Sequence, residues 1–386
     1  MNFSNEQSFM NNKKTVNPVN LNSFLNQDVL NYKLDTNINL SSIKNYNSSK
    51  ISSPIFFSSF PKKALIKFEL SKTDKNSSQI QNTKTIILSS FDSQIETKKL
   101  QAFLIKSSKE NIEHMVDALI GTYRVIIKNK YGNYFCSDLF KVCEQNERIK
   151  ILNELSDHIS EDCCDKYGSY SIQTLIDFAS CEDEYKLLLH SFNDYNKFLY
   201  ASIDPVGSYT IQKIIEHIPE KFRIQFNSNF ISTICFISIK KYGIINAKKF
   251  ISSIKDEDSI NQIINLISNN FLSIAMNNYG NYFIQFILEK WNNKTEMKNI
   301  KNIIIENYVN LYKNKYSTFI CQLFIKLSND DEKKKLMNIL KLHFITINKK
   351  DNEIINNIMK MNNSHELKST ENNTNFNGCN MNNKPS

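Results

Sequence analysis

The sequence predicts an all-α protein, a solenoid of short helical repeats, and three observations carry that expectation. Turn formers are scarce: the 386 residues hold seven glycines and six prolines, too few for an all-β sandwich, which turns every few residues. A short motif recurs at a narrow period between residues 129 and 359. Most copies carry apolar residues at i, i+3 and i+4, the buried stripe of an amphipathic helix.

The copies read NKYGNYFCSDLF, DKYGSYSIQTLI, DPVGSYTIQKII, KKYGIINAKKFI, NNYGNYFIQFIL, NKYSTFICQLFI and NKKDNEIINNIM. Their glycine slots are Gly132, Gly168, Gly207, Gly243, Gly280, Ser317 and Asp351, at successive spacings of 36, 39, 36, 37, 37 and 34 residues. A fixed period of this length is the signature of a repeat architecture. The stripe is Ile172, Leu175 and Ile176 in the second copy, Ile284, Ile287 and Leu288 in the fifth, and Cys321, Phe324 and Ile325 in the sixth. Ahead of it, Asp, Asn or Lys, an aromatic residue and Gly are expected to break the previous helix, with Gly supplying the backbone angles of a tight turn. Further helical patterns at 184–192 and 261–274 give each repeat two or three short helices. A unit that small cannot bury its own stripe, so neighbours must stack.

The flanks differ. Residues 1 to about 85 are rich in Asn, Ser and Lys without a sustained period. Such a segment buries too little apolar surface to offset chain entropy, and it is expected to be largely disordered. The polar tail 363–386 reads the same way, which leaves 86–362 as the repeat domain, with clear repeats from about 115. A candidate for a further, degenerate repeat lies at 92–100 (DSQIETKKL).

Counted from the glycine slot, the first, second and fifth residues fall outside the stripe. The first and fifth are four apart and share one helical face, expected to point outward. They are Asn133 and Ser137, Ser169 and Gln173, Ser208 and Gln212, Ile244 and Lys248, Asn281 and Gln285, Thr318 and Gln322, and Asn352 and Asn356. Hydroxyl and amide groups both donate and accept hydrogen bonds, which reading a base edge requires. The second slot is Tyr134, Tyr170, Tyr209, Ile245, Tyr282, Phe319 and Glu353. Aromatic rings there could stack on bases. A single Ser-Tyr-x-x-Gln is ordinarily a solvated helix face; the recurrence in register is what points to function.

The segment NNYGNYFIQFILE resembles the core of a Pumilio repeat, and DKYGSYSIQTLI and DPVGSYTIQKII are similar to it. The resemblance covers about 115–362 and implies three helices per repeat in a right-handed crescent of seven or eight repeats, with single-stranded RNA on its concave face. It implies that the first and fifth slots contact one base edge and the second stacks between bases. Asn with Gln then reads uracil (Asn281, Gln285), and Ser with Gln reads adenine (Ser169, Gln173; Ser208, Gln212). Asn133 with Ser137 and Asn352 with Asn356 half-match the uracil pair. RNA antiparallel to the chain would run, 5′ to 3′, weak U, unassigned, U, unassigned, A, A, weak U. Thr318 and Gln322 lack the carboxylate that reads guanine in the family, and Ile244 with Lys248 departs from the pattern altogether, leaving Lys248 as a phosphate candidate.

The implied role is recognition of mRNA 3′ untranslated regions for translational or stability control in the cytoplasm, with repression or deadenylation factors as partners. A nuclear or nucleolar pre-ribosomal RNA-binding role and a protein-binding scaffold remain open beside it. The formal net charge of +9 is compatible with a nucleic-acid partner. No enzyme is expected: the chain has no Gly-rich phosphate loop and no GxSxG. Eight cysteines without a CxxC pair and six scattered histidines argue against zinc or another cofactor. No secretory leader, membrane span or small-molecule substrate is expected either. Glu161 and Asp162, beside Cys163 and Cys164, read as a solvated acidic turn.

Overall fold

The structure, a computed structural model, describes residues 77–346. These divide between two compact bodies that meet in the chain at Leu119 and Ile120. Among the described residues every regular element is a helix.

The first body contributes α1 (Ser77–Ser90), α2 (Gln94–Ile105) and α3 (Lys109–Leu119), with α1 packed on both of the others. Helix α1 reverses part of the expectation of disorder up to residue 85. Thr83 and Ile87, one turn apart, are buried, and Phe91 follows them into the core. Two polar contacts tie the group. Thr83 Oγ1 lies 3.2 Å from His114 Nε2, and Thr97 Oγ1 is 2.9 Å from the carbonyls of both Ser90 and Ser93. The candidate degenerate repeat at 92–100 falls on the turn into α2 and the first half of that helix.

Among the described residues the second body holds six repeats. Each ends in a helix that starts at its glycine slot or one residue later: α5 (Gly132–Val142), α8 (Gly168–Phe178), α11 (Gly207–His217), α13 (Gly243–Ser253), α16 (Gly280–Trp291) and α19 (Thr318–Leu327). These helices pack each on the next in one row. A second row is made of α6 (Gln145–Leu155), α9 (Glu182–Leu189), α12 (Ile224–Ser238), α14 (Glu257–Asn269), α17 (Lys298–Glu306) and α20 (Asp330–Thr346). Between the rows lie the short helices α4 (Tyr123–Ile127), α7 (Ile159–Asp162), α10 (Tyr195–Ile203), α15 (Phe271–Ala275) and α18 (Tyr308–Lys313). In the fourth repeat α12 runs without the break that separates long and short helices elsewhere. The result is an α-solenoid, as expected. The seventh motif copy, with Asn352, Glu353 and Asn356, lies outside the described residues.

The stripe is the core of this body. Cys136, Leu139 and Phe140 in α5, Ile172, Leu175 and Ile176 in α8, and their counterparts in the other four motif helices are all at most 5% exposed. Aromatic residues between the rows fill the rest, with Phe198, Phe226, Phe230 and Phe250 in successive contact at ring-centroid distances of 4.4–5.5 Å.

Charged side chains cross between repeats at two buried points. Asp162, fully buried, accepts from Arg124 Nε at 3.1 Å and pairs with Lys128. This corrects the reading of 161–162 as a solvated turn: only Glu161 is exposed, bonded to Arg124 at 2.7 Å. In the second row Arg148 of α6 donates to Glu184 of α9 at 2.6 Å and to the Cys143 carbonyl at 2.6 Å. The other Glu184 oxygen accepts the N–H groups of Ser180 and Cys181. Burial pushes the Glu184 carboxyl up, but the Arg148 hydrogen bond, the Ser180 N–H and the Arg148 charge outweigh it and hold the pKa below the usual glutamate value.

The turn that launches each motif helix is built from one side chain and one close approach. Asn129 Oδ1 accepts the N–H groups of Tyr131 and Gly132 at 2.8 and 2.9 Å. Asp165, Asp204, Asn277 and Asn314 do the same in repeats 2, 3, 5 and 6. Lys240, which has no acceptor, stands there in repeat 4. The glycines are not used for their conformational freedom: the only glycine at positive φ among the described residues is Gly121, at 81°. Instead the backbone passes so close to the carbonyl six residues earlier that a side chain would collide. A Cβ would lie 2.6 Å from the Asp162 oxygen at Gly168 and 2.8 Å from the Ile126 oxygen at Gly132. Gly243 and Gly280 meet the Ile237 and Ile274 oxygens even more closely. In repeat 6, Ser317 donates its hydroxyl to the equivalent Leu311 carbonyl at 2.7 Å.

Two predictions follow from this packing. Alanine at a helix start normally outdoes glycine, yet Gly168→Ala should lower stability in urea denaturation by roughly 1–3 kcal/mol through overpacking. Ser317→Gly should lose about 1 kcal/mol with its hydrogen bond. A neutral or stabilising Gly168→Ala would show that the approach relaxes freely. For the buried ion pair, Arg148→Met should destabilise by about 3–5 kcal/mol by leaving Glu184 unpaired. Because the folded pKa of Glu184 is lowered, its contribution is complete above the unfolded value of about 4.3 and is lost as pH falls through the folded value. The acid branch of the melting curve should therefore flatten in Arg148→Met/Glu184→Leu; an unchanged acid branch would remove Glu184 from the cause of acid unfolding.

Candidate nucleic-acid interface

The launch turn decides where the three slots of each motif helix point. Adjacent residues on a helix are about 100° apart, so the first and second slots cannot share a direction. The structure separates them sharply. Tyr134, Tyr170, Tyr209, Tyr282 and Phe319 are 54–66% exposed, as expected of rings available for stacking. Ile245 holds the same position in repeat 4 and is also exposed.

The first slot does not face outward, which corrects the sequence reading. Asn133, Ser169, Ser208 and Asn281 are at most 3% exposed, and Ile244 is buried as well. The Asn side chains sink toward the preceding turn and donate to its carbonyls. Asn133 Nδ2 donates to the Asn129 and Lys130 carbonyls at 2.8 and 2.9 Å. Asn281 Nδ2 donates to those of Asn277 and Asn278 at 2.9 and 3.1 Å. Thr318, only half-buried, bonds through Oγ1 with the Tyr312 and Asn314 carbonyls. With its amide donors held, an Asn in this slot offers a ligand its oxygen.

The fifth slot lies half-buried over the first. Gln173 Nε2 donates to Ser169 Oγ at 2.8 Å, and Gln285 Nε2 to Asn281 Oδ1 at 3.1 Å. Gln212 Nε2 reaches the Ser208 carbonyl at 3.1 Å. The two side chains therefore meet as a pair in repeats 2 and 5, while Gln212 bonds the Ser208 backbone; Gln285 Nε2 also reaches the Asn281 carbonyl at 3.3 Å, and in each repeat the Gln carbonyl oxygen is left as an acceptor. Ser137 is half-buried and Gln322 is exposed. Asn352 and Asn356 are outside the described residues.

Repeat 4 has different chemistry. Lys248 is half-buried, with its ammonium over the Phe286 ring at 5.6 Å. Burial lowers its pKa, and the Glu289 charge opposes that shift. Its neighbour Lys249 pairs with Glu216 of repeat 3.

The sequence reading did not single out the lysines that precede the turn aromatics. Lys130, Lys166, Lys241 and Lys315 are exposed, and each ammonium sits over the tyrosine that follows it, at 4.6–5.1 Å. The Lys130 carbonyl is a partner of Asn133. The signal was a Lys-Tyr pair ahead of the slot in four of the motif copies.

The described cysteines are free thiols. Burial pushes Cys143 and Cys235 up to about 12, well away from a reactive thiolate. Among the described residues no cluster of three or more His, Cys, Asp or Glu side chains is placed to hold a metal. No described helix is long and apolar enough to cross a membrane.

Comparison with known proteins gives one family. Residues 125–156, 163–190, 198–226 and 270–296 match the Pumilio-family RNA binding repeat; these segments contain α5, α8, α11 and α16. Pumilio homolog 12 of Arabidopsis thaliana is 20% identical over 195 residues, 49% of this chain and 32% of that protein. Pumilio homolog 11 of the same plant is 22% identical over 204 residues, 51% of this chain and 35% of that protein. The match thus spans about a third of the length of these curated relatives. The crystal structure of the RNA-binding domain of yeast Puf5p bound to SMX2 RNA superposes with a TM-score of 0.60 at 21% identity, over 66% of this chain and 75% of that one. PUF-8 in complex with PBE-RNA gives 0.57 at 16% identity, over 78% and 93%. Those two likenesses establish the fold. Four of the six motif helices, those of repeats 1, 2, 3 and 5, thus lie in segments that match the Pumilio-family RNA binding repeat, and the chain carries repeats of that type.

Proposed function

We propose that the motif-helix row binds single-stranded RNA with base preference and that the protein acts by binding, not by catalysis. One observation carries this reading: five exposed aromatic rings, one in each of five of the six repeats, each beside a polar first slot. Protein cores do not need exposed rings in register, whereas a strand of bases does, since every base has a face on which a ring can stack. Exposed lysines at four turns supply charge for the phosphates.

The pairing of first and fifth slots supports base discrimination by depth and by donor pattern. Ser169 and Ser208 are small and leave room for a purine under Gln173 and Gln212, which supports adenine. Asn281 fills that room beneath Gln285 and supports uracil. With the antiparallel arrangement implied by family resemblance, the preferred element reads 5′-U-N-A-A-3′ across repeats 5 to 2, with a weaker U at Asn133 and Ser137 of repeat 1. Thr318 and Gln322 of repeat 6 present no carboxylate for guanine. We place the protein in post-transcriptional control of mRNAs through their 3′ untranslated regions in the cytoplasm, where repression or deadenylation factors would act with it. That placement rests on the Pumilio repeats. Binding to RNA without base preference would instead favour the nuclear, pre-ribosomal reading.

Ring stacking is tested by truncation. Tyr170→Ala, Tyr209→Ala and Tyr282→Ala should each weaken RNA binding by about 1–3 kcal/mol, and the melting temperature should hold because the rings are exposed. Tyrosine variants that melt early and bind normally would make these rings packing residues. Base reading is tested at repeat 5. Asn281→Ser should move the preference at one base from uracil to adenine by roughly 1–3 kcal/mol. It should also cost about 1 kcal/mol of stability through the lost carbonyl bonds. A binding array over all four bases decides it, and equal loss for all four would mean that Asn281 serves the turn alone.

A further inference from the structure

Repeat 4 keeps the stripe and loses the polar pair. Ala247, Phe250 and Ile251 are buried like their counterparts, so the repeat stacks normally and a strand crossing the row must pass it. What it presents there is Ile244, Ile245 and Lys248.

Ile244 is sunk at the depth of the first slot, 8% exposed where Asn281 is 2% and Ser208 is 3%. In bulk it exceeds both Asn and Ser, and it has no polar atom. Lys248 carries the only polar group of the three side chains, and an ammonium donates but never accepts. Uracil and cytosine have nearly the same outline and differ in the order of donors and acceptors along the edge. Both expose at least one acceptor to a flexible ammonium. Telling them apart needs an acceptor and a donor held in fixed order, and the three slots of this repeat hold no side-chain acceptor.

We infer that repeat 4 selects by size and not by edge, so that its base is either pyrimidine, taken equally, with purines disfavoured. Resting on the RNA-binding reading above, the element becomes U-Y-A-A across repeats 5 to 2, where Y is uracil or cytosine. Ile244 limits the space, Ile245 supplies an aliphatic face where other repeats have a ring, and Lys248 satisfies one acceptor on either pyrimidine.

The test is a binding array with the full chain and RNAs that vary only the base opposite repeat 4, run beside a second set that varies only the base opposite repeat 5. Uracil and cytosine at repeat 4 should agree within about twofold, and both should exceed adenine and guanine by about tenfold, the scale of one good paired contact. Ile244→Asn/Lys248→Gln copies the pair of repeat 5 and should separate uracil from cytosine by about tenfold at that position. Ile244→Ser should admit adenine. Circular dichroism melts confirm that each variant is folded, and the wild-type array stands without them. Discrimination of uracil from cytosine by the wild type overturns the inference, as does equal binding of all four bases. If repeat 5 also shows no preference, the base-reading proposal falls with it; a clear uracil preference at repeat 5 confines any failure to repeat 4.

Discussion

The arrangement of the second body depends on a close approach repeated along the chain: the first residue of a motif helix seated against the carbonyl six residues before it. At Gly168 there is no room for a methyl group beside the Asp162 oxygen. An Asn or Asp side chain, three residues ahead of the slot, holds the two N–H groups that would otherwise be open at the start of the helix. Together they fix the angle at which each motif helix leaves its turn. Once that angle is set, the stripe falls on the neighbouring repeats and the first, second and fifth slots have no freedom over where they point. Repeat 6 shows the same constraint met differently, with the Ser317 hydroxyl bonded to the equivalent Leu311 carbonyl.

The interface inherits its chemistry from that turn. The turn before each motif helix presents carbonyls, and the first-slot side chains Asn133, Asn281 and Thr318 bond to them. Asn133 and Asn281 thereby become fixed acceptors instead of mobile amides, because both donors of each are held. The fifth-slot glutamines of repeats 2, 3 and 5 then lie over the first slot and bond to it. Side chains ordered before a ligand arrives lose less entropy on binding. The exposed tyrosines one residue on keep their faces free. Neighbouring residues thus divide the work: one is anchored into the protein, the next is presented to solvent.

Repeat 4 separates folding from reading. It lacks the Asn or Asp of the turn, the polar pair and the ring, yet α13 packs against α11 and α16 as its equivalents do. Stability in such an array comes from the shared apolar face and is supplied repeat by repeat. Slots outside that face can change without unfolding the body. Some polar side chains do carry fold: Ser171 Oγ reaches the Asn133 carbonyl, Asn246 Nδ2 reaches the Ser202 carbonyl, and Arg148 pairs with Glu184. Each of these crosses from one repeat to the next, and none lies in the three slots.

The sequence by itself determined the fold class, the register of the repeats and the identity of the stripe, because those depend on local period and on apolar character, both of which are written residue by residue. It also placed the exposed rings, since a position off the stripe and clear of the turn has nothing to pack against. Depth was decided by tertiary structure. Whether Asn281 faces solvent depends on carbonyls of the preceding turn, and whether Gly168 is needed for its angles or its missing side chain depends on where the Asp162 oxygen lies. Asp162 itself looked solvated until Arg124 and Lys128, more than thirty residues earlier, closed over it. Helix α1 likewise owes its order to α2 and α3, whose apolar residues cover a stripe too sparse to be seen in an Asn- and Ser-rich segment. Period is a property of the chain, while burial is a property of its neighbours.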